Sequence, residues 1–136
     1  MMKIKLDEWG TLPTRKHPQD AGLDIYAPKA YTIYPNSTEL IMTGVHVELP
    51  AGTVGFIKGR SSLNKQGILT DGTVDEGYTG EIGVGLVNTS AKPYSVAKGD
   101  RIAQLVVIPI LTPDVQVVDE LEDTDRGNGG FGSTGK

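Results

Sequence analysis

The sequence predicts an all-β domain, an antiparallel β-sandwich or jelly roll. Three observations carry that prediction. Roughly ten short runs alternate apolar and polar residues with the period of a strand. Between them, 18 glycines and 8 prolines in 136 residues supply turn chemistry. No heptad pattern or internal repeat is present, and one short stretch alone reads as helix. The length fits one domain with one core.

The first run, Ile4 to Leu6, reads as a short strand, and Thr11 to Gln19, with Pro13 and Pro18, as loop. Leu23, Ile25 and Ala27 then alternate with Asp24 and Tyr26, so Asp24 faces away from the apolar set, in the place of a turn-capping or site carboxylate. Ala30 to Tyr34 is the next strand, closed by Pro35-Asn36-Ser37. Glu39 to Leu49 reads as two short strands around Gly44, with His46 facing solvent between Val45 and Val47. Pro50-Ala51-Gly52 turns the chain into Thr53 to Lys58. Gly59 to Gly67 breaks the β pattern. Ser61 or Ser62 is the expected N-cap of a short helix there, and Gly67 its stop.

Asp71 to Glu81 reads as two short strands joined by a tight turn. Ile82, Val84 and Leu86 mark one face of the following strand, Glu81 to Asn88, with Gly83 and Gly85 on the other. Ala91-Lys92-Pro93 turns into a short strand, Tyr94 to Val96. The apolar run Arg101 to Ile110 fits a strand buried on both faces, with Gln104 as its polar exception. A buried Gln needs partners, structural or ligand. Val115 and Val117 are expected to close the β-rich body. The composition then shifts, which divides the chain into a domain (1–122) and a glycine-rich arm (123–136).

Composition removes several functions. The formal net charge is −4, which argues against a general nucleic-acid face. There is no cysteine, which excludes disulfides and thiolate metal sites. His17 and His46 lack ligand spacing. No apolar run is long enough to span a membrane, and Met1 to Lys5 lacks the apolar core of a signal peptide. Cytoplasmic residence is the expectation.

What remains points to a nucleotide-type ligand. Asp75 stands beside glycine-freed backbone that can pair with a planar amide, and its carboxylate can take a proton from water. Tyr78 can pack on a sugar. Arg60, Ser61 and Ser62, at a helix start, suit phosphate. The arm combines Arg126 and Phe131 with glycines, an arrangement that orders on a ligand: Arg and backbone N–H groups on phosphate, Phe on a planar ring. It is not a Walker loop, since Gly-Lys-Ser/Thr is missing.

Five stretches, in order, resemble the homotrimeric dUTP diphosphatases (dUTPases). They are Ala21 to Ala27, Gly59 to Ser62, Gly72 to Glu81, Gly99 to Leu105, and Arg126-Gly127 through Gly130 to Gly135. The resemblance implies a jelly-roll protomer, a homotrimer with three shared active sites, and hydrolysis of dUTP to dUMP and pyrophosphate. Asp75 would be the general base. Arg60, Ser61, Ser62 and Gln104 would contact phosphate. Gly72, Thr73 and Val74 would pair with uracil, and Tyr78 would pack on deoxyribose and reject a 2′-hydroxyl. Arg126 would reach the γ-phosphate in a neighbouring subunit, Phe131 would cover the uracil, and Gly132, Ser133 and Thr134 would close over the phosphates. Mg²⁺ would be held by the triphosphate and waters, with Asp24 in its outer shell and no direct protein ligand. The chain departs from the family pattern at Gly59, where Pro is usual, at Ser62, where Gly is common, at Thr73-Val74, and in a short Gly67–Asp71 loop.

Two rivals differ in class. A dCTP deaminase shares the trimeric fold but uses a glutamate in place of the base and lacks the Asp75/Tyr78 pairing. A dUTP-switched regulator of partner proteins usually carries an inserted segment, and none is evident between Tyr94 and Val106.

Overall fold

The alternating runs fold into strands that close on one another in two facing sheets. The structure, a computed structural model, describes residues 1–135. Among these, the elements are β1 (Lys3–Leu6), β2 (Gly22–Tyr26), β3 (Tyr31–Ile33), β4 (Thr38–Glu48), β5 (Thr53–Lys58), α1 (Ser61–Asn64), β6 (Ile68–Leu69), β7 (Asp71–Val74), β8 (Glu81–Asn88), β9 (Tyr94–Val96) and β10 (Arg101–Pro109). One sheet has the order β1-β4-β8-β6, the other β2-β10-β5-β7, and β3 pairs with β9 in a small third sheet. Every pairing is antiparallel. Ile41, Val84 and Leu86 from the first sheet meet Ile25, Ile57 and Leu105 from the second, all buried in one core. Burying a Leu or Ile side chain stabilises by roughly 1.5–3 kcal/mol. This antiparallel sandwich is the predicted fold class.

The structure departs from the sequence reading in six places. β7 and β8 are not a hairpin: they lie in opposite sheets, and Asp75 to Gly80 carries the chain from one to the other. The run around Gly44 is one continuous strand, β4. A bulge between Met42 and His46 absorbs the glycine, whose φ of 70° no strand residue with a side chain adopts readily. The short loop after Gly67 contains β6, which pairs with the end of β8. The β-rich body stops at Pro109: Val115 and Val117, at 91% and 93% exposure, have no strand beside them. β10 itself is fully buried only over its first half, at Ile102, Ala103 and Leu105, because its far end projects past the core. Finally, the N-cap of α1 is Arg60, not a serine, and the helix is a single turn. The helix ends at Asn64 with Lys65 as its C-cap, and Gly67, expected as its stop, instead closes the following turn at φ 78°.

Asn88 pins the corner after β8. It is fully buried. Its amide donates to the carbonyls of Ile33 (2.8 Å) and Lys92 (2.7 Å), while its oxygen accepts from the Ser90 amide (2.9 Å) and hydroxyl (2.7 Å). The polar group is thus saturated, which is the condition for burying it.

Candidate functional site

The second sheet carries a polar row on its outer face. Asp24 on β2 faces Gln104 on β10, Gln104 faces Lys58 on β5, and Lys58 faces Asp71 on β7. Just beyond Lys58 the chain leaves the sheet, and Arg60, Ser61 and Ser62 fold over the row at the start of α1. A cleft of about 360 Å³ results, lined by Asp24, Arg60, Ser61, Ser62 and Gln104. Leu63, buried beneath it, fixes the helical turn to the core.

The cleft is cationic. Asp24 has two guanidinium neighbours, Arg60 Nε at 3.6 Å and Arg101 Nη1 at 3.5 Å. Arg60 Nη1 also lies 3.5 Å from the Ser62 hydroxyl and 3.4 Å from the Arg101 carbonyl. Two positive groups against one carboxylate leave a net charge suited to phosphate. Arg101 is legible in the sequence as a basic point that could meet a small anion, as are Lys58, Arg60 and Arg126, but it carries no site role there. The signal that could have found it is its place in the Gly99–Leu105 stretch, where a bulge between Arg101 and Ala103 resets the register against β2.

One wall requires a glycine. A side chain at Gly22 would run into Gln104, whose Cβ would lie 2.9 Å away, whereas one at Gly59 would meet only the tip of the Asn64 side chain, which can shift. The Gly59 carbonyl accepts a 3.3 Å hydrogen bond from Gln104 Nε2. Gln104 is half-buried and keeps its side-chain oxygen against Gly22.

A second group lies apart from the cleft. β7 is the edge strand of its sheet, paired on one side with β5 and open on the other. The backbone of Gly72, Thr73 and Val74 therefore offers donors and acceptors outward. Val74 is anchored in the core, and exposed Asp75 follows at once. The Tyr78 amide donates to the Asp75 carbonyl at 3.0 Å, closing a turn. The Tyr78 hydroxyl donates to the Glu81 carbonyl at 2.8 Å, and the ring stays 46% exposed.

The third group is the arm. After Pro109 the chain has no strand among the described residues. Arg126 Nε donates to the Gly129 carbonyl at 2.6 Å, a bond to its own turn. Phe131 is fully exposed, and Gly132 lies at φ 90°. Ser133 donates its amide to the Gly130 carbonyl at 2.9 Å. None of Arg126, Phe131, Gly132, Ser133 or Thr134 lines the cleft.

One protomer therefore brings together Asp24, Arg60, Ser61, Ser62 and Gln104. It holds Gly72, Thr73, Val74, Asp75 and Tyr78 in a separate group, and the arm residues in a third. Among the described residues no three His, Asp or Glu side chains form a metal cluster. Asp24 is the cleft's single carboxylate and is already balanced by Arg60 and Arg101. That donor set does not fit a protein cage. It does fit an Mg²⁺ that keeps its waters and the oxygens of a bound polyphosphate.

Comparison with known proteins adds independent findings. A family model described as dUTPase matches residues 8–135. The chain is 44% identical over 135 residues to a deoxyuridine 5′-triphosphate nucleotidohydrolase from Gloeothece citriformis, covering 96% of this chain and 93% of that one. It is 44% identical over 140 residues to the same-named protein of Clostridium tetani, covering 99% and 97%. Among solved structures, a point mutant of the Staphylococcus bacteriophage 80alpha dUTPase with dUpNHpp is similar at a TM-score of 0.94 and 30% identity, covering 100% and 99% of the two chains. A mutant dUTPase from phage phi11 of S. aureus, whose structure shows the coordination of a structural Mg(II) ion, has a TM-score of 0.84 at 28% identity, covering 90% and 99%.

Proposed function

The chain belongs to the dUTPase family, and on that premise we propose how its residues divide the work. The enzyme hydrolyses dUTP to dUMP and pyrophosphate, which supplies dUMP for thymidylate synthesis and keeps uracil out of DNA. The observation that carries the assignment of roles is the cationic cleft, where Arg60, Ser61, Ser62 and Gln104 converge from distant parts of the chain.

Asp75 takes a proton from water, and that water oxygen forms a bond to the α-phosphorus. The bond from that phosphorus to the bridging oxygen breaks in line, and pyrophosphate leaves. Arg60, Ser61, Ser62 and Gln104 hold the phosphate chain, and Ser61 assists at the bond being broken. Mg²⁺, the family's cofactor, neutralises triphosphate charge when bound, with Asp24 as its outer-shell anion. Gly72, Thr73 and Val74 on the open edge of β7 pair with the uracil edge. Cytosine presents those donors and acceptors reversed, which leaves groups unpaired. Tyr78 excludes a 2′-hydroxyl. Arg126 binds the γ-phosphate, Phe131 covers the base, and Gly132, Ser133 and Thr134 close over the phosphates and expel water.

These groups are separate in one protomer, so we assign their union to subunit interfaces of a homotrimer. The outer face of the first sheet supports this. Leu40, at 61% exposure, continues through Met42, Leu69 and Val87 as an apolar surface that calls for a partner. Leu111, Val115, Val117 and Leu121 extend a similar apolar edge along the chain that leads to the arm. The division into a domain (1–122) and an arm (123–136) that serves a neighbour's site follows from the same reading. No helix is long and apolar enough to cross a membrane among the described residues. Cytoplasmic residence accords with a nucleotide substrate.

The test is pyrophosphate release from dUTP, dCTP, dTTP and UTP, each with and without Mg²⁺. The expected result is Mg²⁺-dependent release from dUTP alone. Deamination of dCTP, or equal use of UTP, overturns the residue roles.

A further inference from the structure

The turn that bears Asp75 and Tyr78 is exposed and belongs to neither sheet, so something else must hold its shape. Its last residues are tied to β4 and to the segment after β1. His46 of β4 sits between them. Its Nδ1 lies 2.9 Å from the Thr79 carbonyl and its Nε2 2.9 Å from Asp7 Oδ2. A carbonyl only accepts, and an ionised carboxylate only accepts. Both ring nitrogens must therefore carry protons for both bonds to form, and the ring must be an imidazolium.

The surrounding contacts make the segment after β1 a fixed anchor. The Asp7 amide donates to the Gly44 carbonyl at 2.8 Å. Glu81 Oε1 accepts from the Gly44 amide at 2.8 Å and from Trp9 Nε1 at 3.2 Å. The start of β8 is thereby held to β4 and to the same segment. Tyr78 is in turn tied to the Glu81 carbonyl. The charged groups facing His46 are Asp7, its cross-strand neighbours Lys5 on β1 and Glu81 on β8, and Lys3 and Glu48 along the same shallow pocket.

We propose that His46, as an imidazolium bridging Asp7 and the Thr79 carbonyl, is a positioning residue that sets the Asp75–Gly80 turn for catalysis. This rests on the reading of Asp75 and Tyr78 given above. The His46 side chain is 20% exposed, so solvent protons reach it while its two bonds persist. The Asp7 hydrogen bond, seconded by the Thr79 carbonyl, raises its pKa above the ordinary value. Desolvation and Lys5 oppose that shift. A raised folded pKa means that the bridge is complete below the ordinary histidine pKa of about 6.5 and is lost as pH rises through the folded value. Loss of the proton removes one of the two bonds, and the turn gains freedom on the alkaline side.

The experiment follows the His46 ring by ¹⁵N NMR and kcat for dUTP across pH in the full chain. The chain has two histidines, so His17→Gln assigns both signals. The expected result is a His46 midpoint above the ordinary histidine value and a fall in kcat that tracks its deprotonation. Asp7→Asn, nearly isosteric, should move the NMR midpoint and the kcat limb to lower pH together. His46→Gln donates to only one acceptor and should lower kcat about tenfold and abolish that limb. A His46 midpoint no higher than the ordinary histidine value, or a kcat limb that ignores the NMR midpoint, overturns the proposal, and the wild-type protein alone decides both. Asp75→Asn in the same assay separates the two readings. Full activity there removes the base assignment, whereas an inactive Asp75→Asn together with an Asp7→Asn limb that does not move removes the His46 bridge alone.

Discussion

The cationic cleft and the arm, assigned above to one ligand, are built in opposite ways. The cleft is assembled within one protomer: Gly22 admits a close wall, Leu63 roots α1 in the core, and Asp24 spaces Arg60 and Arg101. The arm spends its groups on itself, with Arg126 on the Gly129 carbonyl and Phe131 in solvent. In the roles proposed above, the cleft would contribute binding with little reorganisation, and the arm would contribute closure at an ordering cost. The difference teaches where selectivity and turnover separate. In the proposed roles, preformed groups would capture phosphate, and the groups that must be brought in would make capture productive.

That comparison can be broken at its strongest point first. Asp75→Asn should lower kcat by about 10³-fold while isothermal titration with dUTP shows binding retained, because the cleft is untouched. Deleting Asp125 to Lys136 should cost about 10²-fold in kcat and leave the oligomer, read by sedimentation, unchanged. A truncated enzyme at full rate would make the arm a mere tail. Leu63→Ala attacks the other side of the comparison. It removes the root of α1, and denaturant unfolding should show a loss of about 2–5 kcal/mol, with a raised KM for dUTP. Asn88→Ala, remote from all three groups, should cost about 1–3 kcal/mol by leaving buried polar atoms unpaired, with kcat of the folded enzyme unchanged. Tyr78→Phe is the mildest. It deletes the exposed bond to the Glu81 carbonyl, about 0.5–1 kcal/mol, and should raise KM a few-fold while UTP is still rejected, since the ring remains.

Much of the fold was legible because side-chain alternation is local. Leu23, Ile25 and Ala27 are buried and Asp24 is turned to the cleft, as the period of two requires. Gln104, the polar exception in an apolar strand, found both a structural partner at Gly59 and a place in the cleft. What local pattern cannot carry is the destination of the next strand. Thr73-Val74 and Ile82 to Leu86 look like hairpin arms in sequence, and only the closure of two sheets decides that they part. Gly44 reads as a break because a bulge and a turn use the same residue. His46 alternates like a solvent-facing residue. Its partner Asp7 lies 39 positions away and could not be read from its own strand. Val115 and Val117 alternate as strand residues do, but no strand of their own chain lies beside them.

The open edge of β7 has a consequence for solubility. An unpaired strand edge recruits nucleobases and foreign strands by the same rows of donors and acceptors. At four residues, β7 offers about 13 Å of backbone. That is enough to seat one planar ring and too little to template a lasting intermolecular ladder. With uracil pairing on this edge as proposed above, brevity would admit the small partner and refuse the large one. Lengthening this edge by even a turn's worth of β-forming residues would trade nucleotide recognition for self-association.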